Sequence, residues 1–291
     1  MNDDLADLAA QEEQDDADKL DVRTLVDVQS PSRVALFLRC QAAWSFRYVH
    51  GLVSPPTAAI AWGNAHDRTA NDVYSQKART GTSPGSKDAI DRYASRWSEQ
   101  AREVPEWRDE SAGKLLDLGV ALTRLWSKRA VPYVQPIATQ REVRLAVKDP
   151  QHERPEFTVR GIIDLVASIV VRGVPTPTVV DHKASRRRIT VSDSLRSIAG
   201  PVYCAGSGVD AFDLHAGRRN LHSVDWQSVR RTIPKTEQNA TLALIAKARR
   251  LMEQSVRTGD FLPNRQHHLC SRRWCAWWQV CERTNGGRVP E

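Results

Sequence analysis

Two short stretches place acids and a lysine in an order that can do chemistry on phosphate: Gly161-Ile-Ile-Asp164 and, after a short connection, Val179-Val-Asp181-His-Lys183. Side chains alternate along an extended chain, so Asp181 and Lys183 share one face and His182 takes the other. Asp164, on the preceding strand, can stand beside Asp181. Two carboxylates and an ammonium at adjacent strand ends form a hard, oxygen-rich site suited to Mg²⁺ or Mn²⁺. A cation held there binds a phosphate oxygen, lowers the pKa of a water and offsets charge as a phosphodiester is attacked. Lys183 would orient or help deprotonate that water and stabilise the developing charge. An acid-x-Lys tripeptide on its own describes a surface ion pair; the weight comes from the order, a β-rich segment with Asp164 and then an apolar strand running into Asp-x-Lys.

Neighbouring residues extend the site. His66, in "WGNAH", can supply a neutral imidazole ligand, although a lone helical histidine is commonly structural. Glu142 could reach the centre from an earlier strand, though a solvent-facing strand glutamate accounts for it equally simply. Arg186, Arg187 and Arg188 directly follow the lysine, where a run of three is often a solvated turn but beside such a centre would grip a nucleic-acid backbone.

A second constellation lies in "CSRRWCAWWQVC", residues 270–281, which holds three of the five cysteines and three of the nine tryptophans. Five is an odd number, and in a reducing compartment such a cluster binds metal or is reactive. Cys270, Cys275 and Cys281 are one ligand short of a closed tetrahedral zinc site or a [4Fe–4S] cluster. Cys40 and Cys204 are candidates for the fourth, as are His267 and His268 for zinc, and spacing leaves the choice open.

The elements that must position these residues change character along the chain. A helix is expected to start at Ser30-Pro31-Ser32 and to run through His50, with Val34, Leu38 and Phe46 on its apolar face and Cys40 in its middle. Further helices are expected near 58–78, 87–103 and 110–130, with 80–86 as a loop. Strands follow at 139–147, 157–171 and 176–183, turning at Asp149-Pro150 and Gly173-Val-Pro175. Helical pattern returns at 191–205, strands at about 209–226, and a helix at 236–257 ends at Gly259. The expected fold is α+β, a small mixed sheet flanked by helices. Its helical part covers 29–130, its sheet core 131–260 and its cysteine segment 261–283, within one domain over 29–291.

Composition narrows the partners. Residues 1–21 carry nine acids against Lys19 alone, so a chain of net charge +7 has about +15 on the rest. A basic body suits a polyanion, since each neutralised phosphate releases a counterion. The acidic arm over 1–28 reads as disordered and able to shield that body. No leader pattern and no apolar run of membrane-spanning length occurs, which points to a cytoplasmic protein without a membrane partner.

Taken together over residues 29–283, the chain resembles the PD-(D/E)XK nuclease superfamily, in particular its RecB-like branch of CRISPR-associated and phage-type exonucleases with a cysteine cluster. The pieces that carry the resemblance stand in the family's order: Cys40, Gly63-x-x-His66, Gly161-x-x-Asp164, Asp181-x-Lys183 and the three late cysteines. The resemblance implies a restriction-endonuclease-like core, with His66, Asp164 and Asp181 holding Mg²⁺ or Mn²⁺ and Lys183 as the catalytic lysine. It implies that Cys40, Cys270, Cys275 and Cys281 hold a [4Fe–4S] cluster stapling the two ends together, and that Cys204 is left over. Tyr203 matches the tyrosine that follows the lysine in the family and would contact DNA, although Pro201 is expected to interrupt its helix. The activity implied is exonucleolytic hydrolysis of single-stranded or resected DNA ends, in recombination, replication, repair or phage DNA metabolism, alongside proteins of those processes. The rival expectation is a catalytically weak DNA-binding or partner-recruiting module on the same fold.

Overall fold

A computed structural model describes residues 25–291. The acidic arm expected over 1–28 therefore lies outside the described residues as far as residue 24. Its last residues are packed chain: Leu25 and Val26 are buried, and strand β1 (Val28–Gln29) pairs in parallel with a later strand at Thr158 and Val159. The acids stop where this happens, and Asp27 is held 2.6 Å from the fully buried Arg249.

The single helix expected from Pro31 to His50 is two, α1 (Pro31–Arg39) and α2 (Gln41–Tyr48). Cys40 stands between them in extended conformation, φ −164° and ψ 111°. Its N–H still reaches Leu36 O and its carbonyl already accepts from Trp44 N, so one residue changes direction without orphaning the backbone. The turn also rotates the apolar face. Leu38, expected inside, is exposed, whereas Leu36 and Phe37 are buried.

Three long helices follow: α3 (Ala58–Thr80), α4 (Ser86–Arg102) and α5 (Ala112–Arg129). Thr57 and Ser111 cap α3 and α5 by accepting from Ile60 N and Lys114 N, and Gly81 closes α3 at φ 74°. The chain then makes β2 (Val134–Lys148), β3 (Glu156–Val171) and β4 (Val174–Ser185), paired antiparallel in succession. Two short helices, α6 (Val191–Leu195) and α7 (Ala199–Ser207), lead to β5 (Ala211–Arg219), which is parallel to β4, and then to antiparallel β6 (Val224–Thr232). The helical stretch expected over 191–205 is thus broken at 196–198. Pro201 does not interrupt α7, because it lies in the first turn, where a missing N–H loses no helical bond. The long α8 (Lys235–Thr258) ends at Gly259 with φ 75°, and α9 (Trp278–Asn285) follows the cysteine segment.

The result is a mixed six-stranded sheet between helical layers, the expected α+β architecture. One face packs on α3 and α5 through Leu165, Val180, Tyr74 and Trp126. The other packs on α7 through Ile163, Val179, Phe212 and Cys204. β2 occupies one edge of β3, and the other edge is shared: β1 pairs near its start and β4 from Leu165 onward. Among the described residues no helix is long and apolar enough to cross a membrane.

Candidate active site

The interval between those two partners of β3 is where the acids gather. The β3–β4 ladder stops at Leu165–Val180, and one residue further the Asp164 carboxylate, Oδ2, accepts from His182 N at 2.8 Å in place of a backbone carbonyl. Ile163 belongs to the α7 side of the sheet, yet Leu165, Ala167 and Ile169 belong to the α3 side. Regular alternation would put all four on one face, so β3 changes face at Asp164. Opposite it on β2 stands Gln140, a non-glycine residue at φ 47°, and the β2–β3 ladder passes from Thr139–Leu165 to Arg141–Ile163 across that pair. Such an irregularity re-aims one side chain without unpairing the strand.

β4 contributes Asp181 and Lys183. Lys183 Nζ donates to Asp181 Oδ1 at 2.8 Å; Oδ2 lies 2.7 Å from the same nitrogen but outside hydrogen-bond geometry, buried and with no other partner. The α3 helix brings His66 and Asp67 down from the other layer, one turn after Gly63. A side chain on Gly63 would put its Cβ 3.0 Å from the Ala184 Cβ, so this glycine lets helix and strand approach. Gly161 does the same for Tyr203, whose ring carbon Cε1 lies 2.7 Å from where a Cβ would stand.

These side chains line one pocket of about 490 Å³, with His66, Asp67, Asp164, Asp181, Lys183 and Tyr203 around it. All six thus meet, including the five that the sequence pointed to. Asp67 was missed, because an acid after a helical histidine looks like a solvated position. His182 was assigned to the opposite face from Asp181, and it does lie there, its ring 6.0 Å from that of Tyr74. Even so, the strand is narrow enough that ligand atoms of Asp67, Asp164 and His182 all come within 4.8 Å of one another, and His182 Nδ1 sits 3.3 Å from Asp67 Oδ1.

The electrostatics follow from crowding acids in a half-buried space. The Asp164 carboxyl is pushed up to about 7, by burial first and the Asp181 charge second. Burial pulls the Lys183 ammonium down, but Asp181, then Asp164 and Asp67, outweigh it and hold it above the ordinary lysine value. His66, enclosed by Trp62 and Trp126, is lowered to about 4 by burial and by His182. It is therefore neutral near pH 7, the form with a lone pair to offer a metal. Burial drives the Tyr203 hydroxyl far up, and the three carboxylates add to this, so it remains a donor.

Other candidates are engaged elsewhere. Glu142 lies 2.5 Å from Arg144 and 2.9 Å from Arg160, at the surface and not at the centre. Arg186 pairs with Glu110 at 2.6 Å, and Arg187 pairs with Asp193, leaving Arg188 exposed. Cys204 packs under the sheet with its thiol pushed up to about 12 by burial. Cys40, Cys270, Cys275 and Cys281 do converge. The thiols of the last three are raised by burial first, with Cys40 adding to each, and Cys281 packs against Ala42 and Phe46 on α2.

A mixed sheet with two acids and a lysine where the β3–β4 ladder stops defines a nuclease class, and the chain belongs to it: the sequence profile of the PD-(D/E)XK nuclease superfamily matches residues 29–282. Among solved structures the chain is similar to a "Putative exonuclease" from Eubacterium rectale, with a TM-score of 0.50 and 11% identity over 86% of this chain and 89% of that one. It is also similar to SSO0001, with a TM-score of 0.40 and 10% identity over 88% and 85% of the two chains. At these identities the first likeness speaks for the fold. A search of curated proteins finds no match.

Proposed function

We propose that this protein is a RecB-like, Mg²⁺- or Mn²⁺-dependent deoxyribonuclease that degrades single-stranded or resected DNA ends in the cytoplasm, in recombination, replication, repair or phage DNA metabolism. The observation that carries the reading is the meeting of His66, Asp164, Asp181 and Lys183, with Asp67 added, around one open pocket on a basic body.

The residues fit a divalent cation. Three carboxylates share the pocket, one of them pushed up to about 7, and Asp181 Oδ2 is buried without hydrogen-bond geometry to any donor. Asp164 and Asp181 would hold the ion, with His66 and Asp67 as further donors. When bound, the ion supplies a Lewis acid that polarises a phosphate oxygen and makes a bound water more acidic. Lys183 enters as an ammonium and so acts as a donor: it orients the attacking water and stabilises charge as the P–O bond breaks. Tyr203 offers a neutral hydroxyl at the pocket wall for a phosphate oxygen.

We assign a [4Fe–4S] cluster to Cys40, Cys270, Cys275 and Cys281. What supports the reading is that the four thiols are gathered, Cys40 acting on each of the other three and Cys281 packing on α2 beside Cys40; four cysteines complete the ligand set of such a cluster.

The test is digestion of end-labelled single-stranded DNA in Mn²⁺ by wild type, Lys183→Ala and Asp164→Ala, purified anaerobically in parallel. Each variant should lose roughly 100- to 10,000-fold in rate, and the wild-type ladder reads out polarity. Binding by all three proteins with digestion by none, wild type included, would reject the enzyme in favour of a DNA-binding module.

A further inference from the structure

Ala59 and Ile60, on the wall of the active-site pocket, also line a second cleft of about 280 Å³. Its far side is built from the cysteine segment, with Trp274 and Trp278, and from the loop between α4 and α5, with Trp107. Trp274 is 50% exposed, unusual for so large an apolar side chain. It is also braced. The Arg273 guanidinium lies 5.3 Å over its ring and is held by Asp109 at 2.8 Å, while Arg108 donates to Arg273 O at 2.7 Å. The Arg272 guanidinium lies 4.7 Å over Trp278 in the same way.

The acids of this wall are matched. Glu106 faces Arg108 at 3.5 Å, Asp109 faces Arg273, and Glu110 is held between Arg186 at 2.6 Å and Arg219 at 2.7 Å. The cleft therefore presents indoles, two of them with an arginine stacked over one face, beside the proposed nuclease centre. Aromatic side chains of this kind bind bases whose faces are free, which a duplex does not offer along its length. The volume is at the low end for small-ligand sites, ~300 Å³ and upward, and suits one flat ring system.

We propose that this cleft seats an unpaired base adjoining the phosphate to be cut, so that the substrate form is a single strand or a frayed end. The inference rests on the nuclease reading of the adjoining pocket. In it, the tryptophans contribute sequence-tolerant stacking.

The experiment is equilibrium binding, in EDTA, of a fluorescein-labelled 15-mer of dT and of a blunt hairpin duplex to wild type, Trp274→Ala and Trp274→Phe. Trp274→Ala should weaken binding of the single strand about 5- to 150-fold, with the slope of log affinity against log salt unchanged because no phosphate contact is lost. Trp274→Phe should recover most of the loss, and affinity for the hairpin should change less than twofold. Equal losses on both ligands, or failure of phenylalanine to rescue, would mean that Trp274 supports structure and would overturn the proposal. Unaltered binding of the single strand would do the same and leave the cleft to a different partner, such as a peptide. Digestion by wild type in Mn²⁺ is scored separately: its absence alongside Trp274-dependent strand binding would defeat the nuclease reading and leave the strand seat standing.

Discussion

Asp164 binds its proton more tightly in the folded protein than an ordinary carboxyl does, at about 7 against 3.8. Its contribution to stability is accordingly complete below the unfolded value and is lost as pH rises through about 7. His182, raised against its burial by Asp67 and Asp164, works in the same direction, and Asp67, lowered by His182 despite burial, works in the opposite one. Asp164→Asn removes this carboxyl together with its pull on His182, which works in the same direction. Without metal, the wild-type Tm should fall between pH 5 and pH 8 by several degrees more than that of Asp164→Asn, at roughly 2–4 °C per kcal/mol for a protein of this size. Mn²⁺ at pH 8 should restore it. Identical pH profiles for the two proteins would show that the acids are not crowded. At this scale the sequence was most informative for residues with fixed spacing, Asp181-x-Lys183 above all. Asp67 was hidden because nothing local marks an acid on α3 as facing a strand more than a hundred residues later.

At the scale of elements, the site depends on how closely α3 lies on β4. Gly63→Ala would gain helix propensity, about 1 kcal/mol, yet its Cβ would sit 3.0 Å from that of Ala184 and lever His66 and Asp67 away from the acids of the sheet. The expected result is stability within about 1 kcal/mol of wild type and turnover reduced about tenfold or more, since small misplacements of reacting groups are costly. Thermal melts and steady-state digestion would check it, and unchanged turnover would show that the approach of α3 is not critical. Hydrophobic periodicity was enough to locate α3, α4, α5, α8 and the β2–β3–β4 meander. It could not register the break at Cys40, where the backbone hydrogen bonds continue through an extended residue, or the face change at Asp164, since Gln140 carries no outward mark of a positive φ. Pro201 was misread because a proline's effect depends on which turn of a helix it occupies.

Across the whole molecule, the four cysteines gather the α1–α2 junction with the segment leading into α9 and with the first turn of α9 itself, 230 residues apart between Cys40 and Cys270. A cluster that needs all four acts as one unit, so losses should not add. Cys40→Ser and Cys281→Ser should each abolish iron content and brown absorbance and lower Tm by similar amounts, and the double variant should melt no lower than the worse single one. Zinc without iron in anaerobically purified wild type would replace the cluster assigned above. Additive Tm losses would indicate separate packing roles.

The same separation has a consequence for synthesis. At ~5–20 residues per second, Cys40 leaves the ribosome on the order of 10–50 s before Cys270 follows. Lys183, the last made of His66, Asp164, Asp181 and Lys183, precedes Trp274 by 91 residues, about 5–18 s at the same rate. For that shorter interval the nascent chain holds every side chain of the proposed centre without the proposed strand seat beside it, so closure by the late segment would set when the protein can engage a strand.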